Sequence, residues 1–306
     1  MNLPFIDFMG KRKLAGIVSI VLVVGSFIAL GVQGLNRGLD FTGGTLVEVG
    51  FEEPVDPEQV RGLLEGAGYQ NGVVQYFGTE TDLLIRMPPQ LDLDQANMGD
   101  GILTTLRDVF PGVEMRQSNF VGPAVGEELT EDAGLALLAA LVVIMLYILF
   151  RFTKQFSVGA VAALIHDVAI TLGIFAVMQW TFDLSVLAAL LAVIGYSLND
   201  TIVVSDRIRE NFRKVRKGTS VEIINTSLNQ TLGRTLVTSL TTLFVLLALL
   251  IAGGEGIRGF SSALTIGVVV GTYSSIFVAA NVLLVLNIQR EDLLIPEKEQ
   301  PEEGLP

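Results

Sequence analysis

The chain has 306 residues, 50% of them hydrophobic and 17% charged, with a mean hydropathy of +0.57, which excludes an ordinary soluble domain and points to membrane integration. A net charge of −12 argues against a nucleic-acid partner. With no cysteine and one histidine, His166, there is neither a thiol site nor a multi-histidine metal centre within the chain, and no cofactor is expected.

Lys11, Arg12 and Lys13 open the first apolar run, Leu14–Val32. It is long for the core of a cleaved signal and reads as an uncleaved signal-anchor. Residues 33–133 then form a domain of their own, with 18 acidic residues against 5 basic ones, as befits a well-solvated surface. "GLDFTGGT" at its start lacks the lysine and spacing of a phosphate-binding loop, so Gly38, Gly43 and Gly44 read as tight turns. Thr45–Phe51 alternates like a strand. Asp56–Gly68 has an Asp N-cap, Pro at the first helical position and Gly near its end, a helix signature. Residues 73–78 and 82–88 predict a hairpin turning across Thr79–Thr81, residues 93–110 a second helix, and 113–122 a final strand. The order βαββαβ predicts a ferredoxin-like sandwich, a fold that says nothing specific about activity. "VGPAVGEEL" is the return connection, with Gly122 and Pro123 as hinge residues.

Five more apolar runs follow: Gly134–Phe150, Ser157–Met178, Leu184–Ser205, Thr235–Ala252 and Ser261–Asn287. Each suffices for about 30 Å of hydrocarbon at about 1.5 Å per helical residue. Residues 206–234 read as a basic loop or amphipathic helix, and the acidic segment 288–306 as a tail, disordered after Arg290. Lys and Arg gather on one set of connections: Lys11–Lys13, Arg151, Lys154, and Arg207 to Lys217. That bias predicts cytoplasmic termini and an outer domain, which in a bacterial inner membrane is periplasmic. The expected fold class is an α-helical integral membrane protein of six transmembrane helices, with a ferredoxin-like α+β domain between the first and second.

"VIGYSLNDTIVVSDRIREN" places Asn199 and Asp200 inside an apolar run that ends in basic residues. Asp200 lies seven residues, about 10 Å of helix, from Arg207, well within the hydrocarbon. An ionisable group there costs about 2.5–3.5 kcal/mol and so faces a partner or a wet cavity; Asp206 reads instead as an interfacial charge. The partner is Arg234 in "NQTLGRTLVTSLTT", where Thr231, Arg234, Thr235, Thr238 and Thr242 recur at helical spacing as one stripe expected to face the interior. An arginine is a fixed charge, so Asp200 is the proton carrier: with Arg234 close the carboxylate is favoured, with Arg234 withdrawn a proton is taken up. The plain alternative for Arg234 is a positive-inside anchor. His166 and Asp167 in "LIHDVAIT" read either as a second relay element or as a packed polar pair. Ala263, Gly267, Gly271, Ser275 and Ala279 form a small-residue stripe, open to a helix of this chain or of a second subunit.

"GLDFTGGT", "VGPAVGEEL", "IHDVAITLG", "GYSLNDTIVVSDRIRENFR", "TLGRTLVTSLTTL" and "GGEGIRGFSSALTIG" together resemble SecF-type chains of the bacterial SecD–SecF family, within the RND superfamily. The resemblance spans Gly38 to Gly267. It implies half of an RND-type bundle completed by SecD, and a role in using the proton-motive force to help preproteins leave the SecYEG channel, with YajC and membrane lipids as further partners. The family's functional Asp and Arg fall on Asp200 and Arg234, with the rest of the relay on SecD. The alternatives are an RND-type exporter of lipid or small molecules, an intramembrane aspartyl dyad of Asp167 and Asp200, which lacks the GxGD signature, and a passive scaffold, which leaves a buried Asp unexplained.

Overall fold

The computed structural model describes residues 4–90 and 95–293. α1 (Arg12–Val32) carries no charge beyond Lys13, and its internal hydrogen bonds satisfy a backbone that lipid cannot. It leads to a two-residue strand, β1 (Asn36–Arg37), and one helical turn, α2 (Leu39–Thr42). The inserted domain follows as β2 (Gly44–Gly50), α3 (Pro57–Gly66), β3 (Val73–Phe77), β4 (Thr79–Met87), α4 (Met98–Arg107) and β5 (Glu114–Val121). Then come α5 (Pro123–Arg151), α6 (Lys154–Met178), the short β6 (Thr181–Phe182), α7 (Leu184–Lys214), α8 (Ser220–Ala252) and α9 (Glu255–Ser274). α9 continues through a π-helical turn, Ser275–Ala279, into α10 (Ala280–Val285). Among the described residues, six helices are long and apolar enough to cross a membrane.

The sheet of the inserted domain has the order β3-β4-β2-β5, antiparallel throughout, as a ferredoxin-like sandwich requires. One face, with Val47, Val49, Leu83, Ile85 and Met87, packs on Val60 and Leu64 of α3 and Ile102 and Leu106 of α4. Asp56 caps α3 as its spacing predicts, accepting from Glu58 N at 3.0 Å. Two boundaries differ from expectation. The hairpin turns at Gly78 (φ 78°), and β4 begins at Thr79, whose Oγ1 donates to Asp82 Oδ2 at 2.6 Å. The second helix starts at Met98 after a 3-10 turn at Gln95–Asn97; residues 93 and 94 of that expectation lie outside the described residues.

The junction of domain and bundle explains "GLDFTGGT" residue by residue. β1 pairs with β6 in parallel, and Gly38 lies so close that a Cβ there would meet Asp183 Cβ at 2.9 Å. Asp40 Oδ2 accepts from Leu184 N at 3.0 Å and Asp183 Oδ1 from Val186 N at 2.9 Å, so two carboxylates serve the α7 N-terminus. A Cβ on Gly43 (φ 66°) would meet Pro123 Cα at 2.9 Å, and one on Gly44 (φ 119°) would overlap the Met87 carbonyl. The return connection is not a loop: Gly122 is the N-cap of α5 and Pro123 its first residue, with Gly126 close-packed on Gly43. The other face of the sheet overhangs this end of the bundle, leaving a cleft of about 950 Å³ between Leu46, Glu48 and Gln75 above and Trp180 and Glu255 below. Arg86 crosses to the junction, donating to Arg37 O and Asn36 Oδ1 at 3.1 Å each; burial lowers its pKa from the ordinary arginine value.

At the basic end of the bundle, most of segment 206–234, expected as a basic loop or amphipathic helix, is helix. α7 runs on to Lys214, supported by Arg207 and Lys214 flanking Glu210, and α8 opens at a capping box of Thr219 and Glu222. The tail also starts ordered, which corrects the expectation for residues 291–293. They form a 3-10 turn with Leu293 buried and its carbonyl held by Arg213 Nε at 3.0 Å; residues 294–306 lie outside the described residues. The N-terminal segment is strapped to α8, with Asn225 Oδ1 accepting from Phe8 N (2.9 Å) and Met9 N (3.2 Å). Asn225→Ala strips the acceptor from two buried amides and is expected to cost about 1–3 kcal/mol. Thermal unfolding in detergent reads this directly; an unchanged midpoint would show that the strap contributes nothing.

The small-residue stripe on α9 packs within the chain. A Cβ on Gly259 would meet Val186 Cγ2 at 3.0 Å, one on Gly271 would meet Ser197 Cβ at 3.1 Å, and one on Gly267 would overlap the Val193 side chain. α7 and α9 thus approach at backbone distance along their length. The question left open by the sequence is settled by these contacts in favour of a helix of the same chain.

Candidate functional site

Asp200 sits on α7 with 3% exposure, and its Oδ2 has no hydrogen-bond partner among the described residues. Asn199, the preceding residue, points outward and is exposed. Arg234 stands on the neighbouring α8, exposed, and is the charge whose field acts on Asp200. No ion-pair contact joins the two among the described residues. Two further buried hydroxyls on these helices, Thr201 Oγ1 and Thr235 Oγ1, also have no partner. Buried polar groups are nearly always satisfied, so three unbonded ones on two adjacent helices make this seam the candidate site.

The stripe expected to face inward is split by the structure. Thr231 and Thr235 are buried, Thr238 and Thr242 are half-buried, and Arg234 is exposed. Within this chain positions 231 and 235 share the buried edge of α8, while 234 and 241 turn about 60–80° further out. The hydroxyls of Thr231, Thr238 and Thr242 are spent on carbonyls of their own helix. Asp206 makes a two-oxygen ion pair with Arg151 (2.9 and 3.1 Å), in keeping with an interfacial charge.

His166 and Asp167 come together with residues that sequence reasoning missed. Asp167 accepts from Ser197 of α7 and from Ser274 of α9 (2.7 Å), and His166 Nδ1 lies 2.8 Å from its Oδ1. Nearby, Ser239 of α8 contacts Thr272 of α9 at 2.7 Å and accepts from Tyr196 OH at 3.3 Å. Ser197 had a signal, since it lies three residues before Asp200 on one face of α7; Ser274 and Ser239 had none, because a hydroxyl in an apolar helix ordinarily bonds its own backbone. No hydrogen bond links Asp167 to Asp200 among the described residues, so they do not form the shared-proton dyad of an aspartyl protease.

Residues 102–289 match the family described as "Protein export membrane protein SecD/SecF, C-terminal", and residues 28–55 match the "SecD/SecF GG Motif". The chain belongs to the SecD/SecF family of protein export membrane proteins. The protein translocase subunit SecF of Vibrio alginolyticus is 50% identical over 296 residues, covering 96% of this chain and 94% of that one. The subunit of the same name from Escherichia coli O157:H7 is 45% identical over 290 residues, covering 94% of this chain and 90% of that one. Among solved structures, SecDF from Thermus thermophilus, described as a translocon-associated membrane protein, matches with a TM-score of 0.82 at 38% identity over 93% of this chain. This chain spans 39% of the length of that SecDF chain. A second SecDF structure, in a super-membrane-facing form, matches with a TM-score of 0.71. The region that matches the glycine motif includes Gly43 and Gly44, both at positive φ and both hemmed in by neighbouring backbone.

Proposed function

We propose that the chain is the SecF-type half of a proton-driven export machine, in which Asp200 takes up a proton as Arg234 withdraws and releases it as Arg234 approaches. The observation that carries this reading is a buried Asp200 with an unbonded carboxylate oxygen, facing the field of a cation on the next helix. Each charge moved across the membrane supplies about 2.3 kcal/mol per 100 mV, enough to bias a conformational step. Asn199, Thr235 and Thr238 would line the exchange path, and the glycine turns at Gly38, Gly43, Gly44 and Gly122, with Pro123, would carry motion between bundle and domain. The domain would lie in the periplasm, with both termini in the cytoplasm of a bacterial cell.

The second half would be a SecD-type chain. α7 and α8 expose Gly195, Asn199, Arg234 and Thr241 on a surface that lipid would otherwise cover, and intramembrane polar groups face protein or water. SecYEG, YajC and emerging preproteins belong to the same reading. The chain has no cysteine, so a single cysteine at position 199 or 241 is a unique cross-linking handle. Purification from native membranes is expected to recover one SecD-type chain joined to either position. Recovery of the chain alone, with both positions labelled freely by lipid-soluble thiol reagents, would sink the half-bundle reading.

A further inference from the structure

His166 and Asp167 lie at the middle of α6, apart from the Asp200–Arg234 seam. Asp167 is 0% exposed and its three contacts, Ser197, Ser274 and His166, come from three helix positions on α7, α9 and α6. His166 is 4% exposed, stacks on Tyr273 with 5.9 Å between ring centroids, and leaves Nε2 without a partner among the described residues. Tyr273 OH is itself engaged, donating to Ala15 O at 2.8 Å beside Ser19 Oγ at 3.1 Å. On the elements packed against α6, the titratable groups through the middle of the membrane are Tyr196 and Asp200 of α7 and Tyr273 of α9. α1 from Leu14 to Val32, α5 from Ala133 to Leu146, and the helix from Ser274 to Val285 have none.

A charge so deeply buried is kept only in a neutral pair, and the cation nearest to Asp167 can only be His166. Two neutral arrangements exist. In one, an ionised Asp167 faces an imidazolium; in the other, a protonated Asp167 donates to Nδ1 of a neutral ring whose hydrogen sits on Nε2. Both hold one proton more than the anionic pair, and in both Nε2 carries a hydrogen that finds no acceptor. In the anionic pair, Nδ1–H must donate to the carboxylate and Nε2 is bare.

We infer that His166 and Asp167 form a second proton-holding site, storing one exchangeable proton in the core of the half-bundle, with Nε2–H as the atom that gives it to, and takes it back from, a water molecule admitted beside the ring. Ser197 lies between this store and the first site: it donates to Asp167 and stands three residues, about 4.5 Å of helix rise, before Asp200 on the same face of α7. After release, the two hydroxyls still hold the carboxylate. The inference takes its purpose, though not its proton count, from the proton-driven reading above.

His166 is the chain's single histidine, so [15N]histidine spectra of the complex in lipid vesicles, less those of the His166→Gln complex, report it alone. Nε2 is expected to bear hydrogen at pH 7 and to lose it in a single step on raising the pH. A bare Nε2 at pH 7, or one that keeps its hydrogen without exchange, overturns the inference. Gln at 166 retains a donor for Asp167 yet holds no proton, so His166→Gln is expected to shift the pH profile of gradient-driven export while leaving assembly intact; an unshifted profile is also contrary. The ring proton count is read without transport, so a bare Nε2 beside a gradient-dead Asp200→Asn variant refutes this store alone, and the reverse result refutes the Asp200 relay alone.

Discussion

Asp200→Asn is expected to abolish the stimulation of export by a proton gradient while leaving the chain folded and assembled with its partner. Asn keeps the shape and much of the hydrogen bonding of Asp, and it removes an ionisable group whose burial costs about 2.5–3.5 kcal/mol, so stability should not fall. What disappears is the charge on which the membrane potential acts. A field worth about 2.3 kcal/mol per 100 mV biases an equilibrium about 50-fold, and the variant loses that bias. Preprotein export into inverted membrane vesicles, with and without an imposed gradient, measures it. Export that still responds to the gradient in the Asn variant would end the relay reading. Arg234→Met completes the experiment: Met keeps a long unbranched side chain and removes only the charge, so the variant should assemble yet respond no more than Asp200→Asn does, and the double variant should be no worse than either alone. Normal gradient response in Arg234→Met would return that residue to the role of a topological anchor.

Gly267→Leu is expected to have the largest structural effect. A Cβ at this position would overlap Val193, which is 0% exposed and belongs to the rigid middle of α7. Relief requires α7 and α9 to separate, which breaks the Gly271–Ser197 approach one turn further on and with it the Ser197 and Ser274 contacts to Asp167. Overpacking of this kind costs about 1–3 kcal/mol before the loss of the polar contacts is added. Gly25→Ala is the control, because a Cβ there meets nothing within 4 Å. Unfolding midpoints in detergent should fall steeply for Gly267→Leu and stay level for Gly25→Ala; equal midpoints would show that the α7–α9 seam tolerates separation.

Much of this molecule was legible in one dimension because lipid and water impose simple, local rules. Six apolar runs become helices since no other conformation satisfies the backbone in hydrocarbon. Alternation, the Asp56–Pro57 cap and turn glycines carried the ferredoxin-like order of the inserted domain, all of them short-range effects. Asp200 declared itself through a mismatch between residue and surroundings that needs no partner to be noticed. Helix ends were less legible: α7 and α8 run well past their apolar cores, because caps and ion pairs at Glu210 and Thr219 support turns that hydropathy alone assigns to loops.

Only the tertiary structure decided which side of each helix meets which neighbour. Helical spacing grouped Arg234 with Thr231 and Thr235, and a rotation of about 100° per residue was enough to leave the arginine exposed while the threonines are buried. The same holds for Asp167, whose character depends on Ser197 and Ser274, residues 30 and 107 positions away in the chain. The sequence alone singled out a carboxylate inside one apolar run and an arginine at the start of the next. That Asp200 keeps a free oxygen while Asp167 is held by three neighbours is a property of packing, because hydrogen bonds between helices depend on distances that no local pattern encodes.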